Sequence, residues 1–154
     1  MRRANADDIF RIMELERESA TAAHWSRQQY EGMLVTSDPL PAERVVLIAE
    51  DETAEAEAEI FGFLVARCVD MEWELENIVV ANHMRRRGTG TLLLTELITQ
   101  ARAASGCAIF LEVRESNQDA RAFYRKMSFE EAGVRNLYYA SPAENALLYR
   151  LRLS

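Results

Sequence analysis

The sequence predicts one domain, residues 1–154, of α/β (α+β) class: a mixed, mainly antiparallel sheet with a central parallel βαβ pair and helices on both faces. Three apolar runs follow one another between 45 and 80 with short connections, as in an antiparallel meander. A leucine-rich helical stretch then precedes the run at 108–113, and a strand reached through a helix favours parallel pairing. Alternating segments at 129–139 and 146–153 predict a closing hairpin.

The N-terminal part predicts a short strand at 2–6 and two helices. Asp7 is a plausible N-cap for the first helix, which is amphipathic. Its apolar stripe consists of Ile9, Ile12, Met13 and Leu15. Ser26 is a plausible cap for the second, which carries Tyr30 on its apolar side. Prolines within 38–41 end that helix, because proline and its predecessor resist the helical conformation.

The middle of the chain predicts the sheet and its crossover. Strands are expected at 45–50, 60–69 and 72–80, with an acidic, alanine-rich linker at 51–59 between the first two. A helix from about Gly90 to Ala104 follows the third strand. It is closed by Ser105-Gly106, where glycine is a usual terminator. The strand at 108–113 comes next, and a short helix capped by Asn117 runs to about Met127.

The composition is that of a soluble globular protein. Of the 154 residues, 49% are apolar and 28% charged, and the net charge is −7. An acidic balance argues against nonspecific binding of nucleic acid or membrane, which requires a basic face. The N-terminus lacks the apolar stretch of a signal peptide. We therefore expect a cytoplasmic protein, a monomer or weak homodimer, that contacts neither nucleic acid nor membrane.

Neither the cysteines nor the histidines predict a reactive cluster. Cys68 and Cys107 each lie in a strand-like apolar run, so we expect structural thiols rather than a disulfide or a metal site. His24 and His83 are far apart in sequence and lie in predicted loops. We expect no metal centre.

The stretch Asn77–Thr91 carries the strongest functional signal. It predicts a buried strand, a turn with three arginines, and a glycine-rich entry into a helix. A helix start leaves backbone N–H groups without intrahelical partners and carries partial positive charge, so it favours a bound anion such as a phosphate. Gly88 and Gly90 let a ligand approach the backbone closely. The alternative is a solvated arginine run at an ordinary turn. Neither a Walker loop nor a complete dinucleotide fingerprint is present.

Glu112 and Tyr124 are the candidate catalytic residues. Glu112 stands in an otherwise apolar strand, and a carboxylate in apolar surroundings is a better base near neutral pH. The alternative is a strand-end glutamate that faces water or pairs with Arg114. By position alone, Tyr124 is more typical of a packed core tyrosine than of a catalyst.

Several motifs in combination resemble the GNAT superfamily of N-acetyltransferases, and within it the bacterial ribosomal-protein alanine N-acetyltransferases. The motifs are Arg85-x-x-Gly88-x-Gly90, Glu112-Val113-Arg114-x-Ser116-Asn117, Ala122-x-Tyr124, Phe129 and Arg135-x-x-Tyr138-Tyr139. The resemblance covers roughly residues 74–151. It departs from the family at Ser128, where relatives carry glycine, and at Asn145, where an acidic residue is frequent.

The resemblance implies a GNAT fold, acetyl-CoA as co-substrate, and direct transfer in a ternary complex to the N-terminal amine of a protein, such as a ribosomal one. Glu112 would be the general base and Tyr124 the general acid on the departing CoA thiolate. The implied acetyl-CoA contacts are Ile78, Val79, Val80, Arg86, Arg87, Gly88, Thr89, Gly90, Thr91 and Asn117. The implied acceptor contacts are Tyr138 and Glu76. Glu76 and Glu74 remain rivals of Glu112 as base.

The proposed roles agree with ordinary solution chemistry. A peptide α-amino group has a pKa of about 8, so only mild help is needed to supply the neutral amine. A lysine side chain, with a pKa of about 10.4, would require about 3.3 kcal/mol more. Tyrosine, with a pKa of about 10, protonates a thiolate of about 8.5 only uphill, so a stabilising hydrogen bond is the safer role.

Two other functions stay open. A small-molecule amine acetyltransferase would need a closed pocket where a peptide needs a groove, and the helix-to-helix loop at 19–26 would distinguish them. A non-catalytic acetyl-CoA-binding regulator would need the glycine-rich turn but neither Glu112 nor Tyr124.

Overall fold

The structure is a computed structural model that describes residues 1–34, 43–51, 53 and 58–153. In this part of the chain, seven strands form one sheet and four α-helices pack on it. The strands are β1 (Arg2–Arg3), β2 (Glu43–Asp51), β3 (Glu59–Val69), β4 (Glu72–Val80), β5 (Ala108–Arg114), β6 (Glu130–Ala140) and β7 (Ala143–Arg152). The helices are α1 (Ile9–Arg17), α2 (Arg27–Leu34), α3 (Thr89–Ala103) and α4 (Gln118–Lys126). No described helix has the length and apolar character needed to cross a membrane.

The strand order confirms the predicted fold class. Across the sheet the order is β1-β2-β3-β4-β5-β7-β6, and β4–β5 is the parallel pair. The β2–β3–β4 meander, the α3 crossover and the β6–β7 hairpin are as predicted. β7 lies between β5 and β6, so the last strand in sequence is inserted beside the edge strand β6.

Each face of the sheet has its own hydrophobic core. Leucines 93, 94 and 97 of α3 and Tyr124 of α4 pack on one face. Ile9, Ile12 and Leu15 of α1, with Tyr30 and Met33 of α2, pack on the other. This agrees with the apolar stripes read from the sequence, although Met13 is only half-buried.

Two predicted features at the N-terminal end have different outcomes. The predicted cap at Asp7 is wrong. Asn5 caps a 3-10 turn ahead of α1, with its side chain accepting from the Asp7 amide while Asp8 accepts from the Asn5 amide. The Ser26 cap is confirmed, since its hydroxyl accepts from the Gln29 amide and the Gln29 side chain accepts from the Ser26 amide. The predicted helix stop at 38–41 and most of the 51–59 linker lie outside the described residues.

The cysteine prediction needs one correction. Cys107 is exposed and precedes β5 rather than lying in an apolar strand, whereas Cys68 is half-buried in β3. The chain turns sharply just before Cys107. Gly106 leaves space there for Trp73, since a Cβ at Gly106 would come within 2.8 Å of the indole.

The turn after α4 shows how the chain accommodates Ser128. Ser128 has a φ of 67°, the left-handed conformation that glycine adopts most easily. The Ser128 amide donates to the Arg125 carbonyl and the Phe129 amide to the Tyr124 carbonyl, which is the Schellman arrangement. The Tyr124 and Phe129 rings are in contact, with centroids 5.8 Å apart. The tight turn is therefore retained, and it fixes Tyr124 in the core.

Candidate active site

The site begins where β4 and β5 separate. In the described structure these strands pair only at Glu72↔Ala108, Trp73↔Ile109 and Glu74↔Phe110. Beyond these pairs β4 continues to Val80 and β5 to Arg114 without pairing with each other. The facing backbone edge of β4 is therefore open to a ligand, because strand N–H and C=O groups need partners.

A β-bulge lies at the same level of β4. The register with β3 shifts between Val65↔Asn77 and Ala66↔Leu75, so Glu76 is the extra residue. A bulge bends its strand and increases the local twist. It therefore accompanies the separation of β4 from β5.

The start of α3 lies beside the end of β4. The first helical hydrogen bond runs from the Leu92 amide to the Gly88 carbonyl. Among the described residues, the amides of Thr89, Gly90 and Thr91 therefore have no hydrogen-bond acceptor. Gly88 has a φ of 89°. A Cβ on Gly90 would lie 3.5 Å from the Phe123 ring, so this glycine stands against α4.

This turn has the composition of an anion site. Arg86 and Arg87 are exposed beside the free amides, and Arg86 itself has a positive φ of 61°. Thr89 is buried against Gly62 of β3, where a Cβ would come within 3.2 Å of the Thr89 methyl group. Gly62 thus lets the start of α3 sit close to the sheet. Unpaired amides, a helix N-terminus and two guanidinium groups fit a diphosphate.

Glu112 lies on the face of the sheet that carries α1 and α2. Ile109, Leu111 and Val113 belong to the α3/α4 core, so Glu112, which alternates with them, points to the opposite face. Its carboxylate pairs with Arg135 of β6, at 3.0 Å between Oε1 and Nε. The expectation that Glu112 has apolar surroundings is therefore wrong.

Charged and aromatic side chains of β5, β6 and β7 contact one another in a row that starts at Glu112. In order of contact they are Glu112, Arg135, Tyr138, Tyr139, Arg114 and Glu144. The Arg135 guanidinium carbon lies 5.4 Å from the Tyr138 ring centroid, and that of Arg114 lies 4.0 Å from the Tyr139 centroid. Burial raises the pKa of the Tyr139 hydroxyl, and the Glu112 carboxylate raises it further. These contacts fix one wall of the site.

Tyr124 approaches from the other face of the sheet. It is only 7% exposed and contacts the rings of Phe123, Phe129 and Tyr149. Burial raises the pKa of its hydroxyl, with a smaller contribution from Tyr139. The raised pKa keeps Tyr124 protonated at neutral pH. Tyr139 interacts electrostatically with both Glu112 and Tyr124.

Residues 8–129 match the acetyltransferase (GNAT) family. The chain belongs to the GNAT family. It is 36% identical over 101 residues to the [ribosomal protein bS18]-alanine N-acetyltransferase of Salmonella typhimurium, covering 64% of this chain and 68% of that protein. The corresponding Haemophilus influenzae protein is 39% identical over 93 residues, covering 58% and 63%. The crystal structure of the ribosomal-protein-S18-alanine N-acetyltransferase from Escherichia coli aligns with a TM-score of 0.78 at 25% identity, covering 99% of this chain and 92% of that one. The predicted family, fold and acyltransferase class are confirmed.

The residues that the GNAT resemblance assigns to acetyl-CoA lie around the gap. Ile78 and Val80 are half-buried on the α3/α4 side, whereas Val79 is buried in the opposite core. The Val80 carbonyl accepts a hydrogen bond from Arg85 Nε at 3.3 Å. Asn117 caps α4, and its Oδ1 accepts from the Ala120 amide at 3.2 Å. The backbone amide of Asn117 donates to the Arg114 carbonyl, so among the described residues its side-chain Nδ2 is the group left to donate to a ligand.

Glu76 does not have the environment of a base in this GNAT site. Arg44 holds both of its oxygens, at 2.9 and 3.0 Å, and Arg67 lies 3.6 Å away. Glu74 pairs with Arg67, at 2.8 Å from Nε. Both rivals of Glu112 are thus neutralised in a network across β2, β3 and β4.

The face of the sheet that carries α1 and α2 also contains residues that the sequence motifs did not single out. Glu16 of α1 is 2% exposed, accepts from the Asn77 side chain at 2.8 Å, and borders a shallow pocket with Trp25. A signal was available, because Glu16 falls at i+7 from Ile9 and therefore on the apolar stripe. The partner of Glu112, Arg135, stood in the family motif without a role.

Asn145 has a structural explanation. β6 and β7 lose register between Arg135 and Tyr139, and Leu137 there has a φ of 50°. The Asn145 side chain accepts from the Leu137 amide at 2.9 Å and donates to Glu115 at 3.1 Å. It therefore holds the irregular segment that presents Tyr138, which is 52% exposed.

The two histidines remain separate. His83 lies 3.7 Å from Glu59, and His24 is in the loop before α2. Within the described ranges, no group of three histidine, cysteine, aspartate or glutamate side chains could hold a metal ion.

Proposed function

We propose that this protein is an acetyl-CoA-dependent N-acetyltransferase that acetylates the N-terminal α-amino group of a protein by direct transfer in a ternary complex. One observation carries the proposal. β4 and β5 separate beyond Glu74 and Phe110, and this gap has Glu112 on one face and Tyr124 on the other. A linear thioester can enter such a gap from the α3 side while an amine arrives from the opposite face.

The residues around the gap fit acetyl-CoA as co-substrate. The free amides from Thr89 to Thr91, with Arg86, Arg87 and Gly88, would hold the diphosphate. The open edge of β4 at 78–80 would hydrogen-bond the pantetheine arm, and Asn117 would donate to it. Neither a covalent acyl-enzyme nor a metal is part of the proposal.

The transfer divides proton handling between the two faces of the sheet. The amine nitrogen attacks the thioester carbonyl, a C–N bond forms, the C–S bond breaks, and CoA departs as thiolate. Glu112 accepts the proton that the amine loses, directly or through a water molecule. Tyr124, whose pKa is raised by burial, keeps its proton and stabilises the departing sulfur by hydrogen bonding.

The acceptor is proposed to be a peptide α-amine for two reasons. In the described part of the chain, the wall formed by Arg135, Leu137 and Tyr138 is exposed, which suits a polypeptide lying across it. An α-amine, with a pKa of about 8, also needs less help from the base than a lysine amine does. The names of the relatives support a ribosomal acceptor, and such an acceptor would place the protein in the cytoplasm.

The two rival functions make different demands on the same residues. A small-amine acetyltransferase would require a closed pocket over Glu112. The loop at 19–26 lies on the same face of the sheet as Glu112, and there Trp25 packs against Tyr30 of α2. A non-catalytic regulator would not require Glu112 and Tyr124 to approach the gap from opposite faces. The presence of both Glu112 and Tyr124 therefore favours an enzyme, and the exposed wall of Arg135, Leu137 and Tyr138 favours a peptide acceptor.

The purified protein should be incubated with acetyl-CoA and a panel of acceptors, and the products identified by mass spectrometry. The panel contains an eight-residue peptide with a free N-terminal alanine, its N-terminally blocked form with an internal lysine, and a polyamine. The proposal predicts acetylation at the free α-amine. Acetylation of the polyamine alone would indicate the small-amine function. Acetyl-CoA binding without any product would indicate a regulator.

A further inference from the structure

Arg135 occupies the carboxylate that the proposed mechanism assigns to the acceptor amine. Its Nε lies 3.0 Å from Glu112 Oε1. The two partners differ in exposure: the Arg135 side chain is 58% exposed and that of Glu112 only 17%. The less exposed Glu112 therefore has less freedom to move, while Arg135 can move toward solvent.

The Arg135 guanidinium also has a second partner, the Tyr138 ring. The Tyr138 ring centroid lies 5.4 Å from the guanidinium carbon, within the range of a cation–π contact. Tyr138 is held against Tyr139, with centroids 5.2 Å apart and an interplanar angle of 85°. The guanidinium can thus leave Glu112 without losing all of its stabilising contacts.

Electrostatic repulsion sets Arg135 and the acceptor amine in competition for the Glu112 carboxylate. A peptide α-amine with a pKa of about 8 arrives largely as an ammonium ion at neutral pH. An ammonium beside an Arg135 still paired with Glu112 would set two cations against one carboxylate, and like charges within a few ångströms repel. The acceptor amine and Arg135 therefore compete for the same oxygens.

We propose that Arg135 is a positioning and specificity-determining residue that holds Glu112 in the resting enzyme and moves to Tyr138 when the acceptor amine binds. The inference rests on the proposed function, because it assumes that an amine is the ligand of Glu112. The competition lowers the affinity of the enzyme for the acceptor amine. When no amine is present, the Arg135 guanidinium neutralises the Glu112 carboxylate.

Equilibrium binding of two peptides tests the competition directly. One peptide has a free N-terminal alanine, and the other is the same peptide with that amine acetylated. Arg135→Met should bind the free-amine peptide about two- to fivefold more tightly, the range that an exposed ion pair is worth. It should bind the acetylated peptide as wild type does. Arg135→Lys keeps the cation and should restore the wild-type affinity.

The matched control is Arg125→Met. Arg125 is 55% exposed and pairs with Glu131 at 3.8 Å on the surface of α4, away from Glu112. Arg125→Met should leave the affinities for the free-amine peptide and the acetylated peptide unchanged. If Arg135→Met bound both peptides equally more tightly, bound the free-amine peptide less tightly, or left it unchanged, the competition would be excluded.

A second measurement requires no turnover. The Nε–Hε NMR signal of Arg135, assigned by its loss in Arg135→Met, should move in Glu112→Gln. It should move in the same direction when the free-amine peptide or methylammonium is added to wild type. The proposal is overturned if the Arg135 signal does not move in Glu112→Gln. It is also overturned if the signal moves with neither the free-amine peptide nor methylammonium. If no peptide in the panel is acetylated, the peptide function fails, and the methylammonium titration still decides the role of Arg135.

Discussion

At the level of single residues, the environment of each carboxylate distinguishes Glu112 from its neighbours. Glu112 has one guanidinium partner, and that partner is exposed. Glu76 is held at both oxygens by Arg44 and approached by Arg67. A base must have an oxygen available to the amine, so geometry favours Glu112 before any difference in basicity is considered.

Glu112→Gln should lower kcat by about 100-fold or more, because it removes the proton acceptor while preserving size and shape. The affinity for acetyl-CoA should stay within about twofold of wild type, since Glu112 lies on the face opposite the α3 turn. Steady-state kinetics and equilibrium titration with acetyl-CoA measure the two quantities.

Glu76→Gln is the matched control for Glu112→Gln. It breaks the contacts with Arg44 and should reduce stability more than turnover. An unchanged rate in Glu112→Gln together with a large loss in Glu76→Gln would transfer the base role to Glu76.

At the level of elements, the start of α3 is the feature on which acetyl-CoA binding depends. Gly90→Val should weaken acetyl-CoA binding by about tenfold or more, because a branched side chain crowds the amides and loses at least one hydrogen bond to a charged phosphate. The fold should tolerate the first added carbon, since its nearest neighbours are at 3.5 Å or more. Isothermal titration calorimetry with acetyl-CoA measures the effect.

Gly32→Ala in α2 controls for the loss of a glycine. A Cβ at Gly32 meets nothing within 4 Å, so acetyl-CoA affinity should not change. Normal affinity in Gly90→Val would show that the diphosphate does not lie on this turn.

The turn after α4 stores conformational strain at Ser128. Ser128→Gly should raise the free energy of unfolding by about 0.5–1 kcal/mol, because glycine adopts a φ of 67° without the steric penalty of a Cβ. Ser128→Ala keeps the penalty and should not stabilise the protein. Urea denaturation with an unchanged m-value measures both, and a destabilised glycine variant would argue against strain at this position.

At the level of the whole molecule, the order of elements could be predicted because each has its own periodicity. The meander, the α3 crossover and the final hairpin needed no long-range information. The position of β7 between β5 and β6 did require long-range information, because pairing between distant strands leaves no local pattern. The Asn5 cap does have a local signal, since Asn5 and Asp8 stand at capping-box spacing, but Asp7 is an equally suitable cap residue by type. The positive φ of Ser128 is a backbone conformation that its residue type does not indicate.

The candidate site was predictable only where its residues form a local sequence pattern. The α3 turn and the position of Glu112 followed from a contiguous stretch and a recognisable motif. The contact of Arg135 with Glu112 joins β6 to β5, which α4 separates along the chain. The Asn145 contact with Leu137 depends on the irregular register within the β6–β7 hairpin, which the sequence pattern does not contain. The apolar run around Glu112 suggested an apolar environment, but alternate residues of a strand face opposite sides, and the side of Glu112 is polar.

The N-terminal edge of the sheet links global stability to pH. Arg2 bridges Asp8, at 2.9 Å, and Glu50, at 2.8 Å. Burial by itself would raise the pKa of Asp8, but the Arg2 hydrogen bonds and the Asn5 amide lower it on balance. A lowered folded-state pKa stabilises the protein above the unfolded value of about 3.9 and ceases to do so as the pH falls through the folded value.

Asp8→Asn should therefore lower the free energy of unfolding by about 1–2 kcal/mol at pH 7, with a difference that shrinks below about pH 4. Asparagine can still accept from the Asn5 amide, so the substitution removes mainly the charge. Denaturation at several pH values measures the difference. A difference that stayed constant down to pH 2 would show that the charge contributes nothing.

The central claim is that acetyl-CoA lies in the gap between β4 and β5 with its diphosphate on the start of α3. A crystal structure of the protein with CoA tests it most directly. We predict diphosphate oxygens within hydrogen-bonding distance of the amides between Gly88 and Thr91, and the sulfur near the Tyr124 hydroxyl. CoA bound elsewhere, with those amides facing water and the gap closed by protein, would contradict the account.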